Sequence, residues 1–122
     1  MAWSVDARIP LTVLASAEAL QAGLDAAPAA LLVQAPPSAM PTGAVAQASY
    51  DLALAHASAC GCCGGRSALA LALDRLFQAR ARGQCPWFTR VLALAETAEV
   101  EAALASALRD DSLTVARFRR GP

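Results

Sequence analysis

Short apolar runs alternate with helical stretches along this chain, and that alternation constrains its fold more than any other feature. Ile9 to Ala15 has the character of a buried strand, with Pro10 near its start, where a missing amide donor is tolerated. Ser16 is placed to cap a helix over Ala17 to Ala27, with Glu18 favourable in its first turn and Pro28 as its stop. Ala30 to Gln34 reads as a second strand, after which Pro36, Pro37, Pro41 and Gly43 force a loop. The next apolar run, Tyr50 to Ser58, is expected to be the third strand, nearly continuous as in a sheet covered on both faces. A helix from Ser67 to Arg82 sets Leu69, Leu73, Leu76, Phe77 and Arg80 along one side and ends at Gly83. Phe88 to Ala95 is expected as the fourth strand. Thr97 caps a last helix with Val100, Leu104 and Leu108 inward, and Leu113 to Phe118 is expected as the fifth strand.

The order β-α-β-β-α-β-α-β predicts one α/β domain over residues 1–122. It should be a three-layer fold, a small, mostly parallel sheet of about five strands with helices on both faces. The 122 residues suffice for one core, although alanine inflates the 57% apolar content, so leucines must anchor it. A formal net charge of zero supplies no long-range field for nucleic acid or an anionic membrane. All ten basic residues are arginines, so no lysine can serve as a base, a Schiff-base former or a phosphate-loop cation. No apolar run reaches the roughly 18 residues that span a bilayer. A cytoplasmic setting is expected, where clustered cysteines favour metal or redox chemistry over a disulfide scaffold.

Such a cluster is present. Cys60-Gly61-Cys62-Cys63, followed by Gly64-Gly65, sets three thiols within four residues between the expected third strand and the helix at Ser67. Three readings stand side by side. Cys60, Cys62 and Cys63 can hold a soft metal, zinc first, with the fourth ligand from His56, water or a second subunit. They can be packed, reduced thiols with no metal. Or Cys60 and Cys63 can form a C-x-x-C redox pair before a helix N-terminus that favours the thiolate. His56, on an extended strand, would lie about 13 Å from Cys60 and is expected to bond to backbone instead. Cys85 precedes the fourth strand, at the opposite sheet edge, and is left out of the metal set as a half-buried thiol. Trp87 beside it is expected to cover the bottom of the core. Arg75, Arg80, Arg82 and Arg90 read as a solvated helix face rather than a basic patch.

These segments together resemble the nucleotide-binding domain of the CobW/HypB/UreG-type GTPases, over nearly the whole chain. The resemblance rests on Ile9-Pro10-Leu11-Thr12-Val13-Leu14 as the opening strand and on the Cys-x-Cys-Cys loop between strand and helix. Thr89 to Leu94 and Leu113-Thr114-Val115 are similar to later strands of that family. The resemblance implies a P-loop NTPase-like fold in degenerate form. In that family the first strand runs into G-x-x-x-x-G-K-[S/T]; here Ala15-Ser16-Ala17-Glu18-Ala19-Leu20 follows, with neither the glycines nor the lysine. No nucleotide and no hydrolysis are therefore expected, and the protein is read as a non-enzyme. Implied partners are a second copy of the chain, as a homodimer that pairs exposed sheet edges, and a metalloprotein or a full-length CobW-type protein.

Overall fold

In the computed structural model, which describes residues 6–37, 39–52 and 66–121, three helices begin where a hydroxyl cap stands in the sequence. Ser16 accepts from the Ala19 amide at the start of α1 (Ala17–Ala26), and Ser67 from the Ala70 amide at the start of α2 (Ala68–Ala81). Thr97 accepts from the Val100 amide at the start of α3 (Ala98–Asp110). Helix α2 ends in a Schellman turn at Gly83, whose φ is +68. The Gln84 amide donates to the Ala79 carbonyl and the Gly83 amide to the Arg80 carbonyl. Helix α1 has no basic residue in its last turn. Arg90 supplies the charge from elsewhere, donating to the Gly23, Ala27 and Pro28 carbonyls.

The strands are β1 (Ile9–Leu14), β2 (Ala29–Gln34), β3 (Ala44–Tyr50), β4 (Val91–Leu94) and β5 (Phe118–Arg120). Among the described residues they form one all-parallel five-stranded sheet in the order β3-β2-β4-β1-β5. The connection β1–α1–β2 steps across the sheet one way, and β3–α2–β4 and β4–α3–β5 step the other. Right-handed crossovers then require α1 on one face and α2 and α3 on the opposite face. The core divides accordingly. Leu31 and Val33 of β2 and Leu92 of β4 pack with Leu20 and Leu24 of α1. The alternate residues Ala30, Leu32, Val91 and Ala93 pack with Leu69, Leu73, Leu76, Val100 and Leu104. The three-layer α/β fold read from the alternation is thus the observed one.

The expected strand bounds need three corrections. The third strand is Ala44–Tyr50, not Tyr50 to Ser58; of the latter, residues 53–58 lie outside the described residues. Ala46, Ala48 and Tyr50 are buried and alternate with Gln47 and Ser49, so this strand keeps the period of two with Val45 as its single β-branched residue. Gly43 starts the strand with φ +95, and a Cβ there would stand 3.0 Å from the Leu24 carbonyl oxygen. The fourth strand is shorter than expected, Val91–Leu94. The stretch Leu113 to Arg117 is helical, within α4 (Ser112–Arg117), and strand begins only at Phe118. Asp111 causes this: its carboxylate accepts from the Thr114 amide at 3.0 Å and the Thr114 hydroxyl at 2.8 Å, closing a helical turn.

Candidate functional site

Cys60, Cys62 and Cys63, and His56 with them, lie outside the described residues. Their segment, residues 53–65, follows Leu52, just past the carboxyl end of β3, and precedes Arg66, just before α2. Arg66 is firmly held. Its guanidinium makes two 3.0 Å bonds to the Asp111 carboxylate and lies 3.7 Å from Asp74, which also pairs with Arg117. The Arg66 bonds, followed by those from Thr114, hold the Asp111 carboxyl at about 2, against burial, which opposes the shift. Arg117 lies over the Phe77 ring, 4.2 Å from its centroid. Among the described residues no group of three or more His, Cys, Asp or Glu side chains is placed to hold a metal. Cys85 is a free, half-buried thiol packed against the core, as expected.

The other cysteine-side expectations change. Trp87 is 66% exposed and does not cover the core; the Arg80 guanidinium stacks on it, 3.6 Å from the ring centroid. Arg80 also donates to the Phe88 carbonyl at 2.8 Å, and burial lowers its pKa. Arg75 donates to the Ser49 carbonyl of edge strand β3, and Arg90 holds the end of α1. Three of the four arginines read as a solvated face are therefore engaged within the fold.

The cavity with the most chemistry opens on the α1 side of the sheet, at the carboxyl ends of the strands, with a volume of about 390 Å³. Leu31 and Val33 of β2 and Leu94 of β4 form its floor, and Leu20 of α1 forms one wall. Pro36 and Pro41 of the connection between β2 and β3 form the other wall; the Ala35–Pro36 peptide there is cis. Polar groups rim it. Gln47 is brought beside Leu31 by the β2–β3 register, Gln34 closes β2, and Gln21 reaches across from α1 to the Thr42 carbonyl at 3.3 Å. Glu96 stands just past β4. Burial, and secondarily the Glu96 charge, push the Tyr50 phenol up, so that it stays a donor, to the Leu94 carbonyl at 3.4 Å.

Fold topology explains the location. Strands β1 and β4 are neighbours whose outgoing connections run to opposite faces, and in open parallel sheets the crevice at such a switch point is where ligands bind. The connection from β1 to α1 is only Ala15 and Ser16. Ser16 is committed to capping, and Glu18 lies in the first turn. A phosphate site of the G-x-x-x-x-G-K type needs a wide loop of amides at this point, and the two-residue connection does not provide one. A second, more open depression lies between Arg66, Ser106 and Asp110, but Arg66 and Asp111 there saturate each other. Comparison of the chain with protein-family models, with curated proteins and with solved structures finds no match in any of the three.

Sequence reasoning missed this cleft. Its three glutamines and one glutamate come from four separate elements, and only strand order brings them together. The available signal was weak: Gln34 and Gln47 are the polar positions of otherwise small or apolar strands.

Proposed function

We propose that this protein is a non-catalytic, soft-metal-binding α/β protein, related in fold to the CobW-type domain but without nucleotide binding or hydrolysis. The observation that carries the loss of nucleotide chemistry is the two-residue, self-capped connection between β1 and α1. Metal binding is supported by the donor set: three thiols in four residues, with His56 nearby in sequence, suit zinc. The described residues offer no competing cluster, and the fourth ligand is proposed to be His56, water or a group of the partner copy in a homodimer. Edge strand β3, seven residues long, supports self-association of that kind. The resemblance also supports a metalloprotein or a full-length CobW-type protein as recipient or partner.

Protein purified without chelator should carry about one zinc per chain or per dimer. The triple variant Cys60→Ser, Cys62→Ser, Cys63→Ser should carry none, and Cys85→Ser should keep it. The same preparation should show no calorimetric binding of Mg-GTP below about 1 mM. Zinc retained by the triple variant, or parent protein that is metal-free and unaffected by added zinc, defeats the metal reading. A Cys60–Cys63 disulfide with reductase activity would replace it with the redox one.

A further inference from the structure

The cleft on the α1 side has a chemistry of its own among the described residues. Its volume lies within the range of small-molecule sites, about 300–1,000 Å³. Its floor is apolar: Leu31, Val33 and Leu94 present branched side chains from a sheet surface, which suits a ring-sized apolar body. Among the described residues its rim carries hydrogen-bonding amides and a single ionisable group, Glu96. No arginine lines it, and the chain contains no lysine. Among the described residues Glu96 forms no salt bridge, whereas seven ion pairs are made elsewhere. A carboxylate at the mouth of an apolar cleft attracts a cation and repels an anion, and no other described residue of the lining carries a charge to reverse that sign. The helix α1 N-terminus, the one feature that could favour an anion, is already matched by Ser16 and Glu18.

We propose that this cleft binds a small amphiphilic amine, an apolar ring body carrying a protonated amino group. The ring lies on Leu31, Val33 and Leu94 between α1 and the Pro36–Pro41 wall. The ammonium group faces Glu96, and the amide of Gln34 bonds to a polar atom of the ring or linker.

Three probes with one ring and different heads test this: tryptamine (cation), indole-3-acetamide (neutral) and indole-3-acetate (anion). Each is titrated into ¹⁵N-labelled protein, and amide shifts are followed at Gln34, Gln47 and Glu96. Tryptamine should bind most tightly, indole-3-acetamide more weakly, and indole-3-acetate weakest. Glu96→Gln should weaken tryptamine about fivefold and leave indole-3-acetamide unchanged. Ala17 is exposed at the cleft mouth, so Ala17→Phe fills it without touching the core and should abolish binding of all three probes. Unchanged dispersion of the amide spectrum reports that each variant is folded. The proposal is overturned if tryptamine shifts nothing up to about 5 mM, if indole-3-acetate binds as well as tryptamine, or if neither variant changes tryptamine binding.

Discussion

The two faces of the sheet are built differently. One is covered by α2 and α3, whose leucines meet β1, β2 and β4 in a continuous core, and the Arg66, Asp74, Asp111 and Arg117 ion pairs tie α4 to α2 beside them. The other is covered by α1 alone, over a small cluster around Leu31 and Leu92, and what α1 leaves uncovered becomes the cleft. The difference follows from topology. Of the three helical crossovers two run in one direction and one runs back, so right-handedness crowds one face with helices and thins the other. Stability is therefore concentrated on the crowded face and ligand access on the thin one.

Truncation on each face tests that division most strongly. Leu104 is fully buried among α2, α3 and the sheet, and Leu104→Ala should cost about 3–5 kcal/mol in urea unfolding. Leu24→Ala, on the face that borders the open cleft, should cost about 2–3 kcal/mol because it removes contacts from a smaller apolar cluster. Equal costs would mean that α1 is as tightly packed as the other helices.

The next effect in size is electrostatic and confined to the crowded face. Asp111→Ala removes a helix cap and strands the half-buried Arg66, and should cost about 2 kcal/mol at pH 7. The sign with pH follows from the lowered carboxyl. Its folded value, about 2, lies below the ordinary 3.8, so its contribution is complete above about pH 4. It is lost as pH falls from there towards 2. Parent and Asp111→Asn stabilities should therefore converge over that window; a gap that persists at pH 2 would show that Asp111 acts through packing instead. The smallest effect belongs to the thin face. Arg90→Ala uncaps the carboxyl end of α1, whose carbonyls can turn to water, and should cost about 1 kcal/mol. A loss as large as that for Asp111 would make Arg90 a keystone rather than a cap.

Much of this architecture was legible in the chain. Ser16, Ser67 and Thr97 mark helix starts by local chemistry that operates in isolation, and all three do so in the structure. Strands were harder. Ala44 to Tyr50 is mostly alanine and small polar residues, with Val45 its single β-branched residue, and it is a strand because β2 lies beside it. Leu113-Thr114-Val115 has those residues and is helical, because one carboxylate at Asp111 outweighs their preference. The motif that dominated the sequence, Cys60 to Cys63, falls outside the described residues. The cleft, which structure alone brings together, had no motif at all: spatial order, not spacing along the chain, puts Gln47 and Glu96 at one opening.

The short link from β1 to α1 has a kinetic consequence. Two residues reach only about 7 Å when extended, so α1 cannot slide along the sheet without breaking its own first turn. Arg90 fastens the other end of the helix. The wall and floor of the cleft are thus fixed relative to each other before anything enters. An incoming molecule meets the α1 side of the cleft already formed and loses little affinity to ordering that helix.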